Sequence, residues 1–202
     1  MKYFYQDKLK HISVCKELVN NYEKIKKEIL DFISIPNVLV DYPNYKVSND
    51  KWIYENYWKA APVSKFRNEH TELTGTPELN KYLNSLIAKT REHCPTIVSI
   101  IGELEEQEHL SNSFISRLMP GTIINPHTGW SNKFLRIHLG IVTDPNCKMF
   151  IEDESMAWED GKLLAFVDGH QYPHSVKHEG SKERIVLSID LKLDYLKSQK
   201  VI

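Results

Sequence analysis

The sequence is short of most features that announce a function. Its three cysteines, Cys15, Cys94 and Cys147, are widely separated and form no C-x-x-C pair. They give no sign of a disulfide framework, and their odd number leads us to expect a reduced, cytoplasmic protein. No apolar run approaches the ~18 residues that a membrane helix needs. The opening residues, Met1-Lys2-Tyr3-Phe4-Tyr5-Gln6-Asp7, lack the apolar stretch of a secretory leader. No membrane partner is expected. Charge of one sign is missing too: Lys+Arg 26 against Asp+Glu 27 leaves a formal net charge of -1. Nothing in that balance suggests a nucleic-acid-binding surface, and no nucleic-acid partner is expected. There is no internal repeat and no low-complexity linker.

What is present suits a pocketed globular protein. The 202 residues favour a single domain with a sizeable core. Hydrophobic content of 41%, with Tyr 10, Trp 4 and Phe 7, agrees. Residues 12 to 33 carry Val14, Leu18, Tyr22, Ile25, Ile29 and Phe32 near one face, which predicts a helix ended by Pro36. Residues 37 to 75 are mixed and hold an aromatic cluster of Trp52, Tyr54, Tyr57 and Trp58. Thr76-Pro77-Glu78 starts a second helix that runs to about Thr90. Beyond it, short β-branched and aromatic runs at 96–101, 113–118, 122–125, 134–142, 147–151, 162–167 and 184–191 predict strands. Helices followed by many short strands predict a β-sandwich or barrel with helices over one outer face.

Two of these strands alternate cleanly. Leu135, Ile137, Leu139 and Ile141 share one face, and Arg136, His138 and Gly140 the other. Likewise Ile185, Leu187, Ile189 and Leu191 oppose Arg184, Val186, Ser188 and Asp190. A sheet with one wet face explains such a pattern. A polar cup between two sheets explains it as well, and the choice of His and Arg over Lys, Glu and Thr favours the cup.

The sequence has nine histidines, so a pair of them proves little. His11, His70, His93, His109 and His178 read as ordinary surface or core residues. His127 follows a turn and a short strand that can present it at a cavity mouth. His174 lies in a turn after Asp168-Gly169, with His170 as its rival. Two neutral imidazoles can hold a redox metal, and an arginine ten residues beyond His174, Arg184, can clamp a carboxylate. That set suggests an iron-dependent oxygenase with a 2-oxo acid as cosubstrate. Such sites commonly use His-x-Asp/Glu with a distal His, but Gly129 stands where the acid would be. The only His-x-acid triplet is His70-Thr71-Glu72. Zinc on His127 and His174 is a further reading.

Ordered stretches carry a resemblance: Met119-Pro120-Gly121-Thr122, Pro126-His127-Thr128-Gly129, Leu135-Arg136-Ile137-His138-Leu139-Gly140, Trp158-Glu159-Asp160-Gly161-Lys162 and Arg184-Ile185-Val186. With these, residues 116–190 resemble the aspartyl/asparaginyl β-hydroxylase family of Fe(II)/2-oxoglutarate oxygenases. The resemblance implies a mainly β, double-stranded β-helix (jelly-roll, cupin-like) fold behind N-terminal helices. Together with the periodicities above, one domain, 1–202, is expected: a helical and mixed part, 1–95, packed on a β-helix core, 96–202. The resemblance also implies a two-histidine iron site without a carboxylate, so Gly129 is expected. Carried over, His127 and His174 look like the iron ligands and catalytic centre. Arg184 looks like the clamp for the distal carboxylate of 2-oxoglutarate, helped by Ser116 and His138. Arg136 looks like a substrate-carboxylate contact, with Arg67 as a second substrate-binding arginine and an ion pair of Arg136 with Asp168 or Glu152 as the structural alternative. The expected activity is hydroxylation of a C–H bond, with Fe(II), 2-oxoglutarate and O2. The expected partner is an amino-acid-like small molecule or a peptide. Halogenation at the room left by Gly129, a non-catalytic cupin-like binding module and a zinc hydrolase are the competing readings.

Overall fold

Alternation in the two long strands predicted above organises the molecule. The computed structural model describes residues 9–41, 58–64, 77–129, 131–169 and 171–199. A 3-10 turn at Leu9–His11 leads into helices α1 (Ser13–Asn20) and α2 (Tyr22–Ile33). Strands β1 (Val40–Asp41) and β2 (Trp58–Pro62) come next, then helices α3 (Pro77–His93) and α4 (Pro95–Glu106). The remaining strands are β3 (Leu110–Leu118), β4 (Ile123–His127), β5 (Phe134–Val142), β6 (Cys147–Ile151), β7 (Glu154–Ala157), β8 (Leu163–Val167), β9 (His174–His178) and β10 (Arg184–Lys192). Helix α5 (Leu193–Ser198) closes the described chain. Among the described residues, no helix is long and apolar enough to cross a membrane.

The strands form a six-stranded sheet, β1-β2-β3-β10-β5-β8, and a four-stranded sheet, β4-β9-β6-β7. Every pairing is antiparallel. This is the double-stranded β-helix. One face of the large sheet takes the helices. There Leu135, Ile137, Leu139 and Ile141 of β5 and Ile185, Leu187, Ile189 and Leu191 of β10 join Ile25, Ile29 and Phe32 of α2 and Ile97, Ile101 and Leu104 of α4 in one apolar cluster. Each such side chain removed from water contributes about 1.5–3 kcal/mol. The other face meets the small sheet across a second cluster, which holds Leu118, Ile124, Met149, Ile151, Trp158, Phe166, Val176 and Val186. The polar face of β5 and β10 is therefore the inside of a cup. His138, Arg184, Ser188 and Asp190 are all buried there, which excludes a wet sheet face.

Three expectations change. Residues 96–101 are helical, not a strand: they lie within α4, and the β-helix begins at Leu110. Ile97, Ile101 and Leu104 recur at helical spacing and are buried. Pro95 sits in the first turn, where its missing N–H costs nothing. Glu28 of α2 also accepts bonds from the Thr96 amide (3.1 Å) and hydroxyl (2.5 Å), satisfying donors at the start of α4. Tertiary packing and this cap override the β preference of an Ile-Val-rich run. Second, the predicted 12–33 helix is two helices that break at Asn21, whose side chain bonds back to the Glu17 carbonyl at 2.9 Å. Third, the N-terminal part is more than a helical cover, because β2 pairs with β3 from Trp58↔Leu118 to Pro62↔Phe114 and so extends the large sheet. Trp52, Tyr54 and Tyr57 lie outside the described residues.

Candidate active site

The cup has a metal-type end and an anion-type end. At the first, β4 and β9 are antiparallel neighbours with His127 directly opposite His174. The register shifts between Ile124 and His127, at Asn125-Pro126, and this irregularity re-aims the end of β4. The two imidazole rings stand 4.2 Å apart, centre to centre, tilted by 55°. Both residues follow a proline: Asn125-Pro126-His127 and Tyr172-Pro173-His174. His127 Nδ1 is 2.9 Å from the Asn125 carbonyl oxygen. A carbonyl only accepts, so Nδ1 carries the proton and Nε2 presents its lone pair. Burial lowers the pKa of His127 and brings that of His174 down to about 4, so both rings are neutral at pH 7. Phe166 packs against His174 with ring centres 5.3 Å apart. Neutral, adjacent imidazoles at a cavity wall are a donor pair that can hold Fe(II) or zinc. Among the described residues, no group of three His, Cys, Asp or Glu is arranged to share a metal.

Asp168 follows the end of β8 and reaches this pair, with Oδ1 3.5 Å from His174 Nε2. Its other oxygen is paired with Arg136 Nη1. Arg136 also makes a two-pronged contact with Asp190, Nε to Oδ1 and Nη2 to Oδ2, each 2.7 Å. The β5–β10 register places Arg136 opposite Asp190. Two carboxylates thus surround one guanidinium. In this structure Arg136 is engaged by these ion pairs. The partner is Asp168, one of the two candidates raised from the sequence, together with Asp190. Gly129 explains why no acid stands at the third position of the His127 motif. A Cβ there would collide with the Asp168 carboxylate and carbonyl.

At the anion-type end, Arg184 is 2% exposed and faces no carboxylate. Its Nη2 donates to Ser116 Oγ at 3.3 Å, and its guanidinium lies 4.8 Å from the centre of the Trp158 ring. Nε and Nη1 are buried without a partner. Burial pulls its pKa down to about 10, which still leaves it charged at neutral pH. Ser116 Oγ also accepts from Trp58 Nε1 at 3.0 Å. With both lone pairs used, its own O–H remains to donate. His138 lies between the two ends. Trp158 Nε1 donates to His138 Nδ1 at 3.0 Å, so the His138 proton is on Nε2. Burial, then the Arg184 charge, holds His138 neutral.

The comparisons with known proteins bear on this arrangement. The family model described as aspartyl/asparaginyl beta-hydroxylase matches residues 19–193. The chain belongs to that family. Aspartate beta-hydroxylase domain-containing protein 2 of Mus musculus is 36% identical over 104 residues, covering 48% of this chain and 30% of the relative. Aspartyl/asparaginyl beta-hydroxylase of Homo sapiens is 39% identical over 77 residues, covering 38% of this chain and 10% of the relative. The chain therefore spans about a third or less of the length of these relatives. Among solved structures, a prolyl hydroxylase from Trichoplax adhaerens, in complex with a hypoxia inducible factor peptide fragment, aligns over 91% of this chain and 90% of its own, at 12% identity and a TM-score of 0.49.

The structure gathers His127, His174, His138, Arg136, Ser116 and Arg184 into one cup. Arg67 lies outside the described residues, as do His170, His70 and Glu72. Sequence reasoning passed over Trp58, Trp158 and His178 as contributors. Trp158 stands in a stretch already singled out, Trp158-Glu159-Asp160-Gly161-Lys162. Trp58 belonged to an aromatic cluster whose place depends on a pairing 58 residues away in sequence. His178 is four residues beyond His174, which in a strand puts it on the same face.

Proposed function

We propose that the chain is an Fe(II)/2-oxoglutarate-dependent dioxygenase that hydroxylates a C–H bond of an amino acid, an amino-acid-like molecule or a peptide residue. One observation carries this reading: a fully buried, charged Arg184 with two donors left without acceptors, in the same cup as two adjacent neutral imidazoles. A buried cation without a counter-ion calls for an anionic ligand, and a carboxylate matches the fork of donors on a guanidinium. In this reading His127 and His174 hold Fe(II), and His127 does so through Nε2. When bound, Fe(II), 2-oxoglutarate and O2 together supply the oxidising chemistry that places a hydroxyl on the substrate carbon.

The protein's own groups do the rest. Arg184 and the Ser116 hydroxyl anchor the distal carboxylate, and Trp58 fixes Ser116. Trp158 covers Arg184 and orients His138, whose Nε2–H is left as a donor inside the cup. Arg136 holds Asp168 beside His174, with its carboxylate 3.5 Å from Nε2. Phe166, Trp158 and Leu164 keep the interior dry. Asp168 and Asp190 both pair with Arg136, so a substrate carboxylate would have to compete with them for this arginine. The substrate is to be found by turnover.

The test is anaerobic titration of the metal-free protein with Fe(II) and 2-oxoglutarate, followed by absorbance. A visible band that needs both components is expected, and His127→Ala and His174→Ala lose it. Succinate release stimulated by one member of an amino-acid and peptide panel then names the substrate class. A protein that binds zinc but neither Fe(II) nor 2-oxoglutarate, and that works without O2, would overturn the proposal.

A further inference from the structure

Besides Arg184, a second buried donor at the anion-type end has no acceptor. His178 is the last residue of β9 and 1% exposed. It shares the inner face of that strand with His174 and Val176, while Ser175 and Lys177 point the other way. The Gly180 amide lies 3.3 Å from His178 Nδ1. A backbone N–H only donates, so Nδ1 is the acceptor and the neutral ring carries its proton on Nε2. Nε2 is buried and has no hydrogen-bond partner. The Lys182 carbonyl approaches the ring as a weak acceptor, but no bond from Nε2 meets hydrogen-bond geometry.

His178 and Arg184 have a common neighbour in Cys147. His178 is in register with Cys147 across β6, and the Cys147 thiol lies beside the Arg184 guanidinium. Burial first, and the Arg184 charge next, lower the His178 pKa, which keeps the ring neutral. The turn between the two residues is fixed. Asp144 accepts from the Asn146, Ser181 and Lys182 amides at 2.9, 2.9 and 3.1 Å. Arg184 Nε, Arg184 Nη1 and His178 Nε2 are thus three buried N–H groups, on residues that both neighbour Cys147, with no hydrogen-bond partner of good geometry. Leaving buried donors unmade is unfavourable, so such a set marks the seat of a ligand that only accepts.

We propose that His178 is a second anchor for the distal carboxylate of the cosubstrate, donating from Nε2 beside Arg184 and selecting for a five-carbon 2-oxo diacid. The inference rests on the 2-oxoglutarate reading above. A carboxylate has about four acceptor positions, enough for Arg184, Ser116 and His178 together. The imidazole also limits the length of acid that the pocket admits.

The experiment uses zinc-substituted protein, which is diamagnetic and inert to O2, and calorimetric titration with 2-oxoglutarate and with 2-oxobutyrate, which lacks the distal carboxylate. His178→Phe should weaken 2-oxoglutarate by about tenfold to a hundredfold, the range for a bond to a charged group, and leave 2-oxobutyrate unchanged. His178→Gln, whose amide N–H reaches a similar point, should stay within about threefold of wild type. In wild-type protein labelled with 15N-histidine, the His178 signal should show Nε2 as the protonated nitrogen and move on adding 2-oxoglutarate but not 2-oxobutyrate. That readout does not depend on any variant folding. Equal 2-oxoglutarate affinity in His178→Phe, equal loss for both acids, or an unmoved His178 signal would each overturn the anchor while the oxygenase reading stands. Failure of wild type to bind 2-oxoglutarate would overturn both.

Discussion

Replacing Arg184 with methionine should make the empty protein more stable and the loaded protein less so. The guanidinium is 2% exposed with two donors unpaired. The fall of its pKa from 12.5 to about 10 corresponds to about 3 kcal/mol of uncompensated burial. Two unpaired donors at about 1–3 kcal/mol each give the same order. Against this stand one bond to Ser116, about 1 kcal/mol, and the stacking on Trp158, also about 1 kcal/mol in a buried site. Methionine keeps the apolar stem of the side chain. Arg184→Met should therefore gain about 1 kcal/mol without ligand, or roughly 2–4 °C in Tm for a chain of this size. With 2-oxoglutarate at about 100 times its Kd, wild type gains about 2.7 kcal/mol by mass action. The variant should gain almost nothing, so the ranking of the two proteins inverts. Thermal melts of zinc-loaded protein with and without 2-oxoglutarate measure both halves. A variant that is clearly less stable when empty, or that keeps the full ligand shift, would refute the reasoning.

Other perturbations have equally definite outcomes. Arg136→Ala leaves Asp168 and Asp190 buried without a cation and should cost about 3–5 kcal/mol in denaturant unfolding. Retention of wild-type stability would restore a ligand-facing role for that arginine. Gly129→Asp, which writes a His-x-Asp motif into the chain, should weaken iron binding and lower Tm because the new side chain displaces Asp168. Tighter iron binding would show that the Asp168 loop yields. In metal-free protein, the folded pKa of His174 lies near 4 against an ordinary 6.5, so the unfolded chain binds more protons between those values. Stability should then rise with pH across that window and fall as pH drops from about 6.5 toward 4, by about 3 kcal/mol from this residue. Urea midpoints for wild type and His174→Gln, compared from pH 4 to 8, isolate that share. Parallel profiles would show that His174 is not buried neutral.

The strands that build the cup were legible because their alternation is strict. Leu135 to Ile141 and Ile185 to Leu191 lie on the helix-backed face as the pattern requires, and Arg136, His138 and Arg184 on the other. The resemblance singled out the residues that line the cup. It did not reveal that Arg136 is neutralised from both sides, because Asp190 reaches it through a strand pairing 54 residues away. Residues 96–101 misled because a β-branched run has no period that separates a buried strand from one turn of a buried helix. The signal that decides it, a carboxylate from α2 on the start of α4, spans 68 residues. His178 went unread because a single histidine carries no sign of which nitrogen is protonated. That depends on an amide two residues later.

Strands β5 and β10 have a large apolar cluster on one side and a smaller one on the other. Their amides should exchange with solvent only when the whole molecule unfolds. Strands β4 and β9, which carry the opposed histidines, have neither helices behind them nor long ladders between them. That layer should open first, at a free energy below the global value. A ligand bridging the two sheets through Arg184 and the histidine pair would fasten that layer to the slow one. Amide exchange in β4 and β9 should then slow toward the rate of β10, so that loading the cup changes how the molecule breathes more than how it is shaped.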